Sequence, residues 1–290
     1  MQVLQKLIRF ARKSPREQLE GVRYHLVQTD FYWKAHYRGN DRTTYLLGLC
    51  GTGRLYIIDM MLLNIGERAK YLHYNNIRIH SVPTSMIYSD HATIRHVSRA
   101  QQLPAVTSCV LGAVRSRFAD LIFIYRHPFD SLLTNWVYWR TYLRDNIGTS
   151  TISQVYKTTD DLCADLEQNF VEFKAFAEGD ADFWAAVPGP RFLSFPEFVE
   201  ETELYLQCAT LPLRLEDFTI DPVKEFSKIV EIMSVDVDLS RLRLVPPRTK
   251  PYGHLAVKEK VPRFRRFINE LDEETKRRIE KIGYDVGGLS

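Results

Sequence analysis

Short apolar runs alternate along this chain with longer stretches whose apolar positions recur at helical spacing. That alternation predicts a sheet of mostly parallel strands joined by helices. Strands are expected at Thr44 to Leu49, Ser85 to Ser89, Leu121 to Tyr125, Arg191 to Phe195 and Pro212 to Leu215. Helices are expected at Arg54 to Leu63, Pro104 to Arg117, Asp130 to Leu143, Asp160 to Ala177, Glu197 to Gln207 and Asp221 to Met233. A last helix is written in LDEETKRRIEKIG, with acids in its first turn, bases in its last and Gly283 as its stop. The amphipathic, basic start MQVLQKLIRFARK predicts an N-terminal helical extension over residues 1–40, packed on a single domain spanning 41–290. A membrane-surface contact by that helix is the minor expectation.

Two strand-to-helix junctions carry the candidate chemistry. In the first, four residues stand between Gly48 and Gly53 and Arg54 follows, which is the spacing of a phosphate-cradling loop. Mg-nucleotide enzymes have Lys and then Ser or Thr there, the hydroxyl being a metal ligand, whereas this chain has Arg54 and Leu55. The cradle without the metal ligand points to an anionic donor handled without metal. In the second junction, LIFIYRHPFDSLLT, Arg126 ends a buried strand and Thr134 follows in the next helix, whose expected cap is Asp130. A guanidinium and a hydroxyl so spaced, with Ser131 as a second hydroxyl, can grip one phosphate at a helix amino end. For an isolated Arg after a strand, an ion-pair role is the commoner outcome.

Composition narrows the class. The chain has 290 residues, 45% of them hydrophobic, enough to bury a full core. A net charge of +3 is too small to mark a nucleic-acid binder. Basicity is concentrated instead between Arg241 and Arg266, where Glu259 is the one acid. Pro246, Pro247 and Pro251 predict an irregular, loop-like segment there. Cys50, Cys109, Cys163 and Cys208 form no close pair, and no run is long and apolar enough to span a membrane, so a cytoplasmic protein with reduced thiols is expected.

Together the junctions resemble the sulfotransferase family, which uses 3′-phosphoadenosine 5′-phosphosulfate (PAPS). Cys50, Gly51 and Thr52 stand where that family has its Ser-Gly-Thr loop for the 5′-phosphosulfate. Arg126, Pro128, Asp130 and Thr134 match its 3′-phosphate motif, with Thr in place of Ser. LRLEDFTIDPVKEFSKIVEIM resembles a further family block, and the basic segment before the last helix resembles its closing phosphate loop. The resemblance implies an α/β, P-loop-like three-layer fold with a central, mostly parallel sheet flanked by helices. It implies transfer of a sulfuryl group to a hydroxyl, less readily an amine, of a carbohydrate or small-molecule acceptor, leaving adenosine 3′,5′-bisphosphate (PAP), with no metal.

By the same resemblance Cys50, Gly51, Thr52, Gly53 and Arg54 hold the 5′-phosphosulfate and Arg126 and Thr134 the 3′-phosphate. Arg248, Lys250, Tyr252 and Gly253 belong to the closing loop. His91, just past a strand in SMIYSDH, is the first choice of base, with His96 and Glu67 as competitors. Many members have a cation where this chain has Leu49, and Arg54 is the expected substitute. Tyr71, His73, Tyr74 and Asn75 would suit a sugar acceptor. The rival readings are a P-loop kinase or nucleotidase, with Asp90 as metal-holding acid, and a nucleotide-binding module without catalysis. Trp136, Tyr138 and Trp139 sit at helical spacing and are expected in the core.

Overall fold

A computed structural model describes residues 43–49, 51–65, 70–74, 77–81, 86–90, 119–144, 156–186, 192–233, 236–245 and 253–286. The expected N-terminal helix and the helix at Pro104 to Arg117 lie outside these residues. Among the described residues six strands form one sheet: β1 (Thr43–Gly48), β2 (Lys70–Tyr74), β3 (Ile77–Ser81), β4 (Met86–Asp90), β5 (Ala119–Tyr125) and β6 (Leu211–Arg214), ordered β2-β3-β4-β1-β5-β6. The four strands β4, β1, β5 and β6 are parallel, and β2 and β3 add an antiparallel edge. That edge lies beyond the strands expected from the sequence. Its signal was two short apolar-alternating runs, KYLHY and IRIHS, separated by two residues, the spacing of a hairpin.

Strand order fixes where a ligand can bind. From β1 the chain passes to β2 at one edge and comes back through β3 and β4 to lie beside β1, and from β5 it crosses to β6 on the other side. The carboxyl ends of β1 and β5 therefore flank a topological switch point, the crevice where open α/β sheets take their ligands. β5 suits this central place because Leu121, Ile122, Phe123 and Ile124 are fully buried, a continuous apolar run rather than an alternation.

Two hydrophobic cores hold the sheet. One joins Leu46, Ile122, Ile124 and Leu213 to helix α1 (Arg54–Ile65) through Ile57, Ile58 and Met61. It also takes Phe226, Ile229 and Met233, at helical spacing, from the later Pro222–Met233 helix. The other core, against which Tyr125 packs, centres on helix α2 (Pro128–Tyr138) with Leu132, Leu133 and Trp136. Trp136 and Trp139 are buried there as expected from their spacing. A π-helical turn, Trp139–Arg144, continues α2. Its Arg140 binds Asp165 at 3.0 Å and Glu172 at 2.9 Å, while Trp136 Nε1 donates to Asp165 at 2.8 Å.

Several expectations are corrected. Asp160 to Ala177 is two helices, α3 (Thr159–Gln168) and α4 (Phe170–Glu178), parted at Asn169, whose side chain donates back to Asp165. A short helix, α5 (Ala181–Ala186), follows. The expected strand ending at Phe195 is not formed, because Ser194 and Glu197 make a reciprocal capping box that opens α6 (Phe195–Cys208). After β6 come α7 (Leu215–Ile220) and α8 (Pro222–Met233).

The basic region is not irregular throughout. It contains α9 (His254–Lys260) and α10 (Pro262–Asn269), broken at Val261 because a residue before proline is driven out of helical geometry. The last helix, α11 (Glu273–Lys281), forms where expected. No described helix is long and apolar enough to cross a membrane.

Candidate functional site

The first junction folds as a glycine-hinged turn at the end of β1. Gly51 and Gly53 have φ of 84° and 79°, a region in which side-chain-bearing residues are strained. A Cβ on Gly51 would also lie 2.8 Å from the Ser131 carbonyl oxygen, so the loop sits tight against the first turns of α2. Between them Thr52 is buried, and its Oγ1 donates to the Leu49 carbonyl at 2.7 Å. Leu49 is itself 1% exposed, so the position expected to need a cation is core. Arg54 opens α1 and folds back, its Nη1 donating to the Gly48 carbonyl at 3.1 Å. The first turn of α1 has no acidic residue to offset the positive helix end.

The second junction meets the first. Arg126 follows the last residue of β5, and its Nη1 donates to the Gly51 carbonyl and to Thr134 Oγ1, at 3.4 Å each. Its Nη2 faces Asp130 Oδ2 at 3.4 Å. The three candidates Gly51, Arg126 and Thr134 are thus brought together across the switch point, although 75 residues separate Gly51 from Arg126. Ser131 Oγ and Asn135 Oδ1 are buried nearby and find no hydrogen-bond partner among the described residues.

Asp130 is not the cap of α2. His127 takes that role, its Nδ1 accepting from the Phe129 amide at 3.3 Å, with Pro128 at the first helical position. Asp130 instead serves α9: its Oδ1 accepts from the His254 amide at 2.7 Å and lies 2.9 Å from His254 Nδ1. The His254 ring stacks on His127 with centroids 3.7 Å apart. Behind them the His127 amide donates to Glu216 at 2.9 Å, and the Tyr284 hydroxyl donates to the other Glu216 oxygen at 3.0 Å.

This packing sets the protonation states. Burial, then the neighbouring His254, pushes His127 down to about 3, and its Nδ1 stays a lone-pair acceptor for the helix cap. Burial alone would raise the Asp130 carboxyl. The bonds and charge from His254 and the charge of Arg126 outweigh it and hold the group at about 2, so Asp130 is an anion at neutral pH.

Gly253 lies at the amino end of α9, where an added Cβ would stand 4.0 Å from Asp130 Oδ1. Cys50, His91, Glu67, His96, Arg248, Lys250 and Tyr252 fall outside the described residues. The strand preceding His91 ends at Asp90, paired in register with Gly48 at the end of β1. The basic stretch divides: Arg243 exchanges two hydrogen bonds with Asn64 at the end of α1, while Val257, Val261 and Phe264 pack into the other core. His127, His254, Glu216 and Tyr284 join the site without belonging to the motifs named from the sequence, and Asp130 is not the cap expected of it. The one signal was that RHP precedes α2, since Pro at the first turn marks the residue before it as the cap.

Neither a scan against protein-family models nor a search of curated proteins finds a match. Among solved structures, a mouse sulfotransferase, SULT7A1, complexed with PAP aligns over 84% of this chain and 83% of its own, at 15% identity and a TM-score of 0.36. So loose an overlap carries no argument about what this chain does, which has to come from its own residues.

Proposed function

We propose that this chain is a PAPS-dependent sulfotransferase. The observation that carries the reading is the convergence of the Arg126 guanidinium, the Thr134 hydroxyl and the Gly51 loop at the β1/β5 switch point. A fixed guanidinium, a hydroxyl and two helix amino ends form an anion site, and sulfuryl transfer needs two of its phosphate groups held firmly. The two cores on β5, with Ile122 and Ile124 in one and Tyr125 against the other, support a layered arrangement with helices on each face.

In this reading the loop from Cys50 to Arg54 holds the 5′-phosphosulfate, with Arg54 supplying charge to the oxygen that leaves. Arg126 and Thr134 hold the 3′-phosphate, assisted by Arg248, Lys250, Tyr252 and Gly253. His91, following a strand that ends level with Gly48, takes the acceptor proton. The acceptor oxygen bonds to sulfur as the bond from sulfur to the 5′-phosphate oxygen breaks, and PAP leaves as an anion stabilised by Arg54. A hydroxyl of a carbohydrate or small molecule is the acceptor class, and no step calls on a metal.

Thermal shift decides the reading. PAP without metal should stabilise the protein more than Mg-ATP does, and a preference for Mg-ATP would sink the proposal in favour of a kinase or nucleotidase. His91→Ala should abolish turnover while PAP still binds; near-normal turnover in a folded variant would move the base elsewhere.

A further inference from the structure

Asp130 has a task outside the anion site itself. Its two carboxylate oxygens divide their partners: Oδ1 takes the His254 amide at 2.7 Å and His254 Nδ1 at 2.9 Å, while Oδ2 takes Arg126 Nη2 at 3.4 Å. The other terminal nitrogen of Arg126 reaches Gly51 and Thr134. We propose that Asp130 is a positioning residue for the 3′-phosphate clamp, orienting the Arg126 guanidinium from one oxygen while the other ties it to the amino end of α9. This rests on the reading of Arg126 and Thr134 as that clamp.

A long arginine side chain is a poor clamp until its planar fork is held, because its rotamer freedom must be given up on binding. Here the fork is held on both sides, by Asp130 at one nitrogen and by Gly51 and Thr134 at the other. The contact at Asp130 is the charged one, and both side chains are mostly buried, at 20% and 14% exposed. Asp130 is itself locked, because the His254 amide and imidazole converge on a single oxygen and leave the other to Arg126. The stack of His254 on His127, at 3.7 Å, fixes the imidazole that does this. A carboxylate near a phosphate site would by itself repel the ligand, so its presence weighs against simple charge attraction and for orientation.

Asp130→Asn separates these effects. Both His254 donors keep the amide oxygen at the Oδ1 position, which turns the amide NH₂ toward Arg126 Nη2. Two donors then face each other, and the guanidinium is driven from its place although a negative charge has been removed. The measurement is the ratio of PAP to 5′-AMP affinity by calorimetry, which isolates the 3′-phosphate. Wild type should prefer PAP, and Asp130→Asn should reduce that preference about tenfold, through a loss of PAP affinity that 5′-AMP does not share. A merely structural role would weaken both nucleotides alike, and that outcome overturns the proposal, as does an unchanged or increased preference in the variant.

Asp130→Ser is the second variant: it removes the Oδ2 partner of Arg126 and carries the same expectation should the Asn variant not fold. A wild-type protein with no preference for PAP over 5′-AMP would instead overturn the clamp reading itself, and this inference with it.

Discussion

At the scale of single residues, Gly51 and His127 are the most constrained. Gly51→Ala would put a Cβ 2.8 Å from a backbone oxygen at φ 84°, where no flexible side-chain end can yield. We expect a loss of about 2–3 kcal/mol, read from the urea midpoint. His127 gives a pH signature. Its folded pKa of about 3 lies below the unfolded value of 6.5, so the unfolded chain binds the extra proton. Stability therefore falls as pH drops from about 6.5 toward 3, by about 2 kcal/mol at pH 5. Asparagine can accept the same Phe129 amide as a helix cap, so His127→Asn should flatten the decline between pH 6.5 and 4.5. An unflattened slope would place the titration elsewhere. Asp130 adds a second, more acidic limb: its depressed pKa stabilises above about pH 4 and that contribution is lost as pH falls toward 2.

Among elements, the join between α2 and α3 carries the clearest burden. Asp165 accepts from the Trp136 indole, the Arg140 guanidinium and the Asn169 amide, so three donors converge on one carboxylate. Asp165→Ala leaves them without that acceptor and Arg140 with Glu172 as its remaining carboxylate. The expected cost is about 3 kcal/mol, with a change in tryptophan fluorescence because Trp136 loses its indole bond. The same elements show what was readable beforehand. Thr158 with Asp161, and Ser194 with Glu197, are capping boxes written in the sequence, and both helices start there. The strand expected at Arg191 to Phe195 yields to cap chemistry, because Ser194 and Glu197 open a helix there. The break at Asn169 was not legible, because apolar periodicity runs through it and the kink depends on side-chain bonds back to Asp165.

For the whole molecule, the site joins elements that the chain keeps far apart. β1 and β5 are neighbours in register from Thr43 opposite Ala119 to Gly48 opposite Ile124, and this pairing brings Gly51 within reach of Arg126. A ligand bridging both loops should stabilise the whole fold: at about a hundred times its dissociation constant, PAP is expected to add about 2.7 kcal/mol to the unfolding free energy. If Arg126 clamps a phosphate as proposed, a partly exposed cation supplies the attraction, and the gain should shrink as ionic strength rises past 0.15 M. Salt-independent binding would point away from an Arg126 clamp.

The sequence by itself determined the local chemistry: the glycine turn, the Arg126 to Thr134 spacing, the capping boxes of α3 and α6, and the periodicities of the strands β1, β4, β5 and β6 and of the helices between. These follow from steric and hydrogen-bonding rules that act within about a turn of chain. Only the tertiary structure decided that Leu49 is core rather than a missing cation, that the basic stretch splits between two cores, and that Asp130 joins Arg126 to α9 rather than capping its own helix. Those outcomes depend on partners up to 179 residues away, and no local rule says which of several adequate partners a buried side chain will meet.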